Sequence, residues 1–580
     1  MKARARLGAG ELEAAIVLER IEPGSLDLAR LLTRVLATPY RGRGEHARTV
    51  ALAYDWLYER WEPGQRAALR DKLARGLDHL VDLIRVEQLS PYHARLYGGP
   101  LPTRVAANLA LYGDDPRGEL YMRFTRDLWL NRTLPVWRQI MGRHGGWHES
   151  GELLTNGLGR AIYQLPALWL AATGENWFDE PGIRGFCDFL VYQRRPDGTN
   201  SPRVPDAIPL ALHYRHRPAY NLHPPGRLPA PSVWPWGPLT DAALLEPNAD
   251  TILPLARHFD GLGLIVARSD WSPAATRVSF LAGDNYWSQP APDQGSFSIS
   301  RGAALTPPAP RRASACQGDS QNLVTVTAPA SSRATGQRQV GSGQGGGPAP
   351  LDLAAWQART GWFHTGRVLL YRDTGDAVVV VADLASAYND AQSAHGPSAR
   401  GSRRIQGLRR TFIYDRVADT VIVRDRGASM QSASRQHWLL HGTAKPAIDG
   451  RSFRFDMAAS SLHGLVLLPR AVRLETSEAA DDATTTETRP PCRPAPFWRL
   501  TLSAAEAGRE HEFLLALVPR GRDEVPLVPR PLAARGVHGI ELDTPRGMRR
   551  WWFAPQGDSL RLESANQRHD FAVTGTPTGN

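Results

Sequence analysis

Lysine is almost missing from this chain. Lys2, Lys72 and Lys445 are its whole complement in 580 residues, so nearly all of the 69 basic side chains are arginine. Against 58 acidic residues they give a formal net charge of +11. Such a balance favours acidic partners, although a GC-rich genome produces the same arginine bias. Cysteine is scarce too. Cys187, Cys316 and Cys492 are far apart and odd in number, which excludes a disulfide framework and a cysteine zinc knuckle. They read as isolated small hydrophobes. Long apolar runs are absent as well: the longest, around Val378–Val381, suits a buried strand and falls far short of a membrane span. The opening MKARARLGAGELEAAIVLERIEPG shows no continuous apolar segment, so no secretory signal is visible, as would also hold for a start inside a longer reading frame. There is no P-loop, dinucleotide fingerprint, HExxH or nucleophile elbow. Arg194-Arg195 and Arg311-Arg312 sit in no nucleic-acid module, which leaves them as solvated loops and argues against a nucleic-acid partner.

What is present divides the chain in two. From about Glu45 to Arg195 the apolar pattern is helical. Glu62-Pro63-Gly64 is a helix start, and Leu69, Leu73, Leu77, Leu80 and Ile84 follow on one face. Val105, Leu109 and Tyr112 end at Gly113-Asp114-Asp115-Pro116, and Ile162, Leu165 and Trp169 end at Thr173-Gly174. Short turns between such segments imply helices stacked in antiparallel pairs. Residues 196–260 are Pro-rich and read as an irregular connector, in which Trp234 and Trp236 would plug a junction or, if exposed, stack on sugars. From Gly261 onward short strands repeat, divided by Gly, Asp and Pro, as in LGLIVARS, TRVSFLAGD, AVVVVAD, DTVIVRDRG and HEFLLALVPR. That pattern means a large β-sandwich. The stretches 327–350 and 475–495 read as loops. The expected fold class is α+β multidomain: an N-terminal α/α toroid (an incomplete helical barrel) over residues 1–245, with its connector, then an antiparallel β-sandwich over 261–580.

Specific segments, in order, resemble the heparinase II/III-like and alginate-lyase group of polysaccharide lyases. They are RTVALAYDWLY, LSPYHARLYGG with NLALYGDDP, GRHGGWHESG with LAATGENWF, VARSDW, VSFLAGDNYW, PDQGSFSISRG, NLVTV and RRTFIYDRVADTVIVRDR, running from roughly Arg41 to Arg426. The resemblance implies cleavage of an acidic, uronate-containing glycan by β-elimination. That reaction needs a group to neutralise the uronate carboxylate, a base at C5 and an acid for the leaving oxygen. It also implies export to the periplasm or beyond, which the N-terminus does not itself display.

Carried onto this chain, the resemblance makes His93, Arg95 and Tyr97 of one loop, and His148 and Glu149 of the Gly145-Gly146-Trp147 loop, the candidate catalytic group. Trp147, Trp287, Gln289 and Gln321 are the candidate substrate contacts. His148 is the expected base, with Arg95 or His93 neutralising the carboxylate. Hydrogen bonds that merely fix loops explain any one of these residues equally well. Relatives with an HxHxDQGSF segment bind a structural zinc there. Here the two histidine positions are Gln289 and Ala291, Ala94 replaces an asparagine, and Gln321 stands where a histidine is expected, so no metal and no cofactor is expected. Asp293 and Gln294 are read as fixing the turn into the GSF strand. The expected partner is an acidic polysaccharide or oligosaccharide, cleaved or, in a catalytically degenerate relative, only bound.

Overall fold

The computed structural model describes residues 12–40, 45–149, 151–199, 204, 206–222, 253–288, 291–307, 321–327, 334, 335, 337, 348–389, 404–478, 498–534, 537–565 and 567–573. Gln289, Trp234, Trp236, Cys316 and Cys492 lie outside them. The described chain forms two compact units. One holds the residues up to Val191, those between Ser201 and Ile252, and Pro348–Ala358; the other holds the rest. The fold is the α+β one expected, a helical toroid unit and an antiparallel β-sandwich unit.

In the helical unit, helix Pro63–Val86 begins where the sequence places it, with proline in its first turn and the Glu62 N–H donating to Gln65 Oε1 at 3.0 Å. Its apolar stripe (Leu69, Leu73, Leu77 and Leu80, all fully buried) packs with Val50, Ala53 and Leu57 of the preceding segment and with Ala107 and Leu111 of helix Pro100–Leu111. Helix Gln164–Thr173 stops at Gly174, whose φ of +76° is the left-handed cap that glycine adopts without strain. The Pro-rich connector is more regular than its composition suggests. It contains helices Ala207–His213 and Arg217–Tyr220 and strand Ala256–Phe259. Pro209 and Pro218 fall in first turns, where the missing N–H costs nothing.

The β unit is built on an eight-stranded antiparallel sheet. Its order is Ala447–Asp449, Ser452–Asp456, Ser460–Leu468, Glu510–Gly521, Thr420–Ser429, Ile405–Asp415, Ala377–Asp383 and Arg367–Asp373. Strict alternation sends Val378, Val380, Phe412, Val423 and Leu515 to one core and Val379, Val381, Ile413, Ile422 and Leu514 to another. The first core is shared with the four-stranded sheet that starts at Ala256–Phe259 and with the five-stranded sheet around Arg435–Gly442. The second is closed by Ile540, Leu542, Trp551 and Phe553 of the C-terminal five-stranded sheet. Burial on both faces explains why Ala377–Asp383 reads as a continuous apolar run. One expectation needs correction here: strand Val472–Glu478 occupies the start of a segment read as loop. Helices Leu353–Gln357 and Thr360–Phe363 lie between the segments read as strands.

Candidate functional site

In the helical unit the two predicted loops do meet. Residues 90–93 lead into the single-turn helix Ala94–Tyr97, with His93 as its cap: the Arg95 N–H donates to His93 Nδ1 at 3.2 Å. The opposing loop turns at Gly145 (φ +81°) and Gly146 (φ +117°). A Cβ on Gly145 would stand 2.3 Å from the Gly185 carbonyl carbon, so the approach of Gly185 to this loop requires glycine. That turn delivers Glu149, 1% exposed, beneath the first loop. Its Oε2 accepts the Ala94 N–H at 2.8 Å and the Trp147 indole N–H at 3.0 Å, while Oε1 lies 3.4 Å from His93 Nδ1. The His148 Nε2–H donates to the Tyr92 carbonyl at 3.0 Å. The first loop is braced again by the distant segment around Pro350. Ser90 Oγ donates to the Pro350 carbonyl, and Tyr92 stacks on Trp356 with ring centroids 6.5 Å apart.

This geometry sorts the predicted group. His93 keeps about a quarter of its side chain exposed and is the imidazole placed beside a buried carboxylate. His148 is 7% exposed and spends its Nε2–H on a backbone carbonyl, so the structure gives it a loop-fixing place, not that of the open base expected. Tyr97 faces the core. It is fully buried between Trp137 and Trp147, donates to the Pro91 carbonyl at 2.5 Å, and burial holds its phenol well above the usual range. A phenol so placed offers no base to a ligand. Trp147, at 2% exposure with its N–H on Glu149, has no face left for a sugar. Arg95 is half exposed and paired with Glu87 at 2.5 Å. Ala94 is buried, and a Cβ added to Gly157 would lie 2.3 Å from its methyl group.

In the β unit the segment Asp293–Phe297 forms a tied turn. The Gln294 carboxamide oxygen accepts the Gly283 N–H at 2.7 Å, and the Gln294 N–H donates to Gln337 Oε1 at 2.9 Å. Gly295 sits at φ +85° with the Leu384 methyl where a Cβ would be. Asp293 and Gln294 therefore fix the turn into strand Phe297–Ser300, as read from the sequence. Gln321 is 3% exposed and faces Ser296 Oγ at 3.4 Å, a packed position and not a ligand contact.

Sequence reasoning missed a pair here. Asp284 Oδ1 lies 2.8 Å from His364 Nδ1, and both side chains are about one-third exposed. The Asn285 N–H donates to the Phe363 carbonyl at 2.8 Å and joins the two loops. Close by in the chain, the half-buried Trp287 adopts φ +70°, a conformation that costs a bulky residue free energy and gathers at ligand sites. Only Asp284 and Trp287 were marked by the sequence; His364 is 80 residues away in a segment with no motif.

The hydrogen bond to Asp284 raises the His364 pKa, against an opposing effect of burial; Arg367 lowers it and Asp383 raises it further. A histidine whose folded pKa is raised contributes stability fully below its unfolded value of about 6.5, and that contribution fades as pH rises through the folded pKa. Asp284→Asn is therefore expected to destabilise the protein at pH 6 and to matter less at pH 8.5. It should also lower the His364 titration midpoint followed by NMR. A midpoint that does not move would refute the pairing.

Whether this turn can hold zinc follows from its donors. Ala291 supplies no ligand atom, Gln321 offers an amide, and His441 Nδ1 is 3.2 Å from Asn322 Oδ1. Among the described residues no three His, Cys, Asp or Glu side chains converge. These donors do not fit zinc.

No protein-family model and no curated protein sequence matches the chain. Solved structures do. The heparan sulfate lyase HepC from Pedobacter heparinus superposes with a TM-score of 0.53 at 11% identity, over 96% of this chain and 81% of its own. A heparinase III superposes at 0.54 and 13% identity, over 95% and 81%. A second heparinase III gene product gives 0.52 and 12%, over 95% and 83%. The class of protein so defined is one with a polysaccharide-lyase fold. More narrowly, the fold is that of the heparinase III structures.

Proposed function

We propose that this protein is polysaccharide lyase-like and acts by β-elimination on an acidic, uronate-containing glycan, with no metal or cofactor. The observation that supports the chemistry is the His93–Glu149 pair. For elimination His93 Nδ1 gives up the Arg95 N–H that it accepts and instead holds a hydrogen toward the Glu149 carboxylate 3.4 Å away, which leaves Nε2 as the basic atom. Nε2 then takes the C5 proton, the C4–O bond breaks, C4 and C5 become doubly bonded, and the imidazolium returns the proton to the leaving oxygen. Arg95 is the guanidinium suited to the uronate carboxylate. An exposed pair such as Arg95–Glu87 is worth about 0–1 kcal/mol, so exchanging Glu87 for substrate costs little. Asp284–His364, with Trp287, offers a second carboxylate–imidazole pair on the β unit for contact with the same class of glycan.

The alternative is a relative that binds such a glycan without cleaving it. It is favoured by the commitment of Tyr97, Trp147 and His148 to internal hydrogen bonds and packing. Incubation with heparan sulfate, heparin, alginate and hyaluronan separates the two readings, because elimination creates an unsaturated uronate that absorbs in the ultraviolet. Rising absorbance on one polymer supports elimination. Binding with steep salt dependence and no absorbance on any polymer overturns elimination in favour of binding, and neither signal overturns both.

A further inference from the structure

A cavity of about 390 Å³ lies in the helical unit, lined by Tyr54, Tyr58, Pro63, Arg66, Ala67, Arg70 and Asp114, none of which takes part in the loops around His93. Along helix Pro63–Val86, Pro63 stands three and four residues before Arg66 and Ala67, and Arg70 four and three after them, so one helix face forms a wall. Tyr58, from the turn Tyr58–Arg60, lies under the Arg66 guanidinium at 4.9 Å from the ring centre and meets Tyr54 edge-on at 5.5 Å. Tyr54 donates its hydroxyl hydrogen to Asp114 Oδ2 at 2.8 Å.

The charges of this cavity are poorly balanced from within. Arg66 has the Tyr58 ring and, among the described residues, no ion pair. Arg70 has Asp115 as its nearest carboxylate, but at 3.9 Å from Nε, and that Nε is buried with no hydrogen-bond acceptor. Asp115 is already taken by Arg117, which grips both its oxygens at 2.9 and 2.8 Å. That grip lowers the Asp115 pKa to about 2. Two guanidinium groups thus flank one cavity without a bidentate partner, and forming such a pair with a ligand carboxylate or sulfate is what guanidinium geometry favours. The exposed Asp114 carboxylate sits on the same lining, where it can accept from hydroxyl groups, and the Tyr58 ring gives a half-buried aromatic surface.

We propose that this cavity is a binding site for one acidic sugar residue, its carboxylate or sulfate held by Arg66 and Arg70 and its hydroxyl groups by Asp114. Its volume falls in the range that small-molecule sites occupy. Nothing in this assignment depends on elimination at His93. It would anchor an acidic glycan by a second contact, or bind a free acidic sugar.

The test is calorimetric or NMR titration of the full chain with glucuronic acid, glucosamine 6-sulfate, glucose and inorganic sulfate at low salt. Binding of the acidic sugars, loss of at least tenfold in affinity in both Arg66→Ala and Arg70→Ala, and no measurable glucose binding are expected. Which acid binds more tightly tells carboxylate from sulfate. Because Arg66 is on the surface of its helix, the Arg66→Ala protein should keep the thermal unfolding of the parent and serves if Arg70→Ala folds poorly. Failure of both acidic sugars to bind, unchanged affinity in Arg66→Ala, or inorganic sulfate binding as tightly as the sugars would each overturn the proposal. Turnover of polymer reports on His93 separately, so either reading can fail alone.

Discussion

His93→Ala is expected to lower the rate of unsaturated-uronate formation by roughly 10²–10⁴-fold, the range that a positioned acid–base group contributes. The expectation rests on the loss of one imidazole whose Nδ1 faces a buried carboxylate at 3.4 Å. Folding should survive, because the variant loses only the cap on the Arg95 N–H, while the Ala94 N–H on Glu149 and the Ser90 hydroxyl on the Pro350 carbonyl stay in place. Glu149→Gln is the companion variant. Its amide oxygen can still accept the Ala94 N–H, but the negative charge that holds the proton on Nδ1 is gone. It should therefore weaken turnover while leaving substrate affinity within a few-fold. Full turnover in His93→Ala would remove His93 from the chemistry altogether. If the parent binds glycan without elimination, His93→Ala should instead change affinity only modestly.

Arg410→Ala is expected to destabilise the β unit by about 3–5 kcal/mol, the usual result of leaving one buried charge of a pair alone. Arg410 and Asp425 are each 1% exposed and joined by two hydrogen bonds of 2.7 Å. The remaining guanidinium nitrogen donates to the carbonyls of Gly295 and Asn322 at 2.6 and 2.7 Å, so this one side chain ties the Asp293–Phe297 turn to the central sheet. Denaturant unfolding measures the loss, and a change below about 1 kcal/mol would contradict it. Replacing both partners by apolar residues should recover part of the loss, since no unpaired charge remains, but not the part owed to the two carbonyls. Gln294 of the same turn holds Gly283, the neighbour of Asp284. The His364 titration should therefore shift in Arg410→Ala as well.

Much of the fold was legible because it is written in local periodicity. Helix Pro63–Val86 shows its start in Glu62-Pro63 and its buried face in the leucine spacing; strand Ala377–Asp383 shows double-sided burial in an unbroken run of valines. The candidate site was legible only as a set of loops. That the His93 and Glu149 loops meet was foreseen; which atoms face the ligand was not. A four-residue helix such as Ala94–Tyr97 has no periodicity from which an inward face can be read, so Tyr97 looked as available as His93 and proved wholly buried.

Asp284-Asn285-Tyr286-Trp287 and the turn Asp293–Phe297 were marked by sequence as segments of the family resemblance, and the role of Gln294 in fixing that turn was read there too. The sequence by itself determined the two kinds of secondary structure, their order, and the arginine-rich chemistry available to them, because each depends on neighbours within a few residues. Only the tertiary structure decided that His364 joins Asp284 across 80 residues, that Glu149 is spent beneath His93, and that Arg66 and Arg70 flank a cavity with their charges unmatched. Those are consequences of burial and of long-range packing, which settle whether a polar side chain is satisfied inside the protein or left for a ligand.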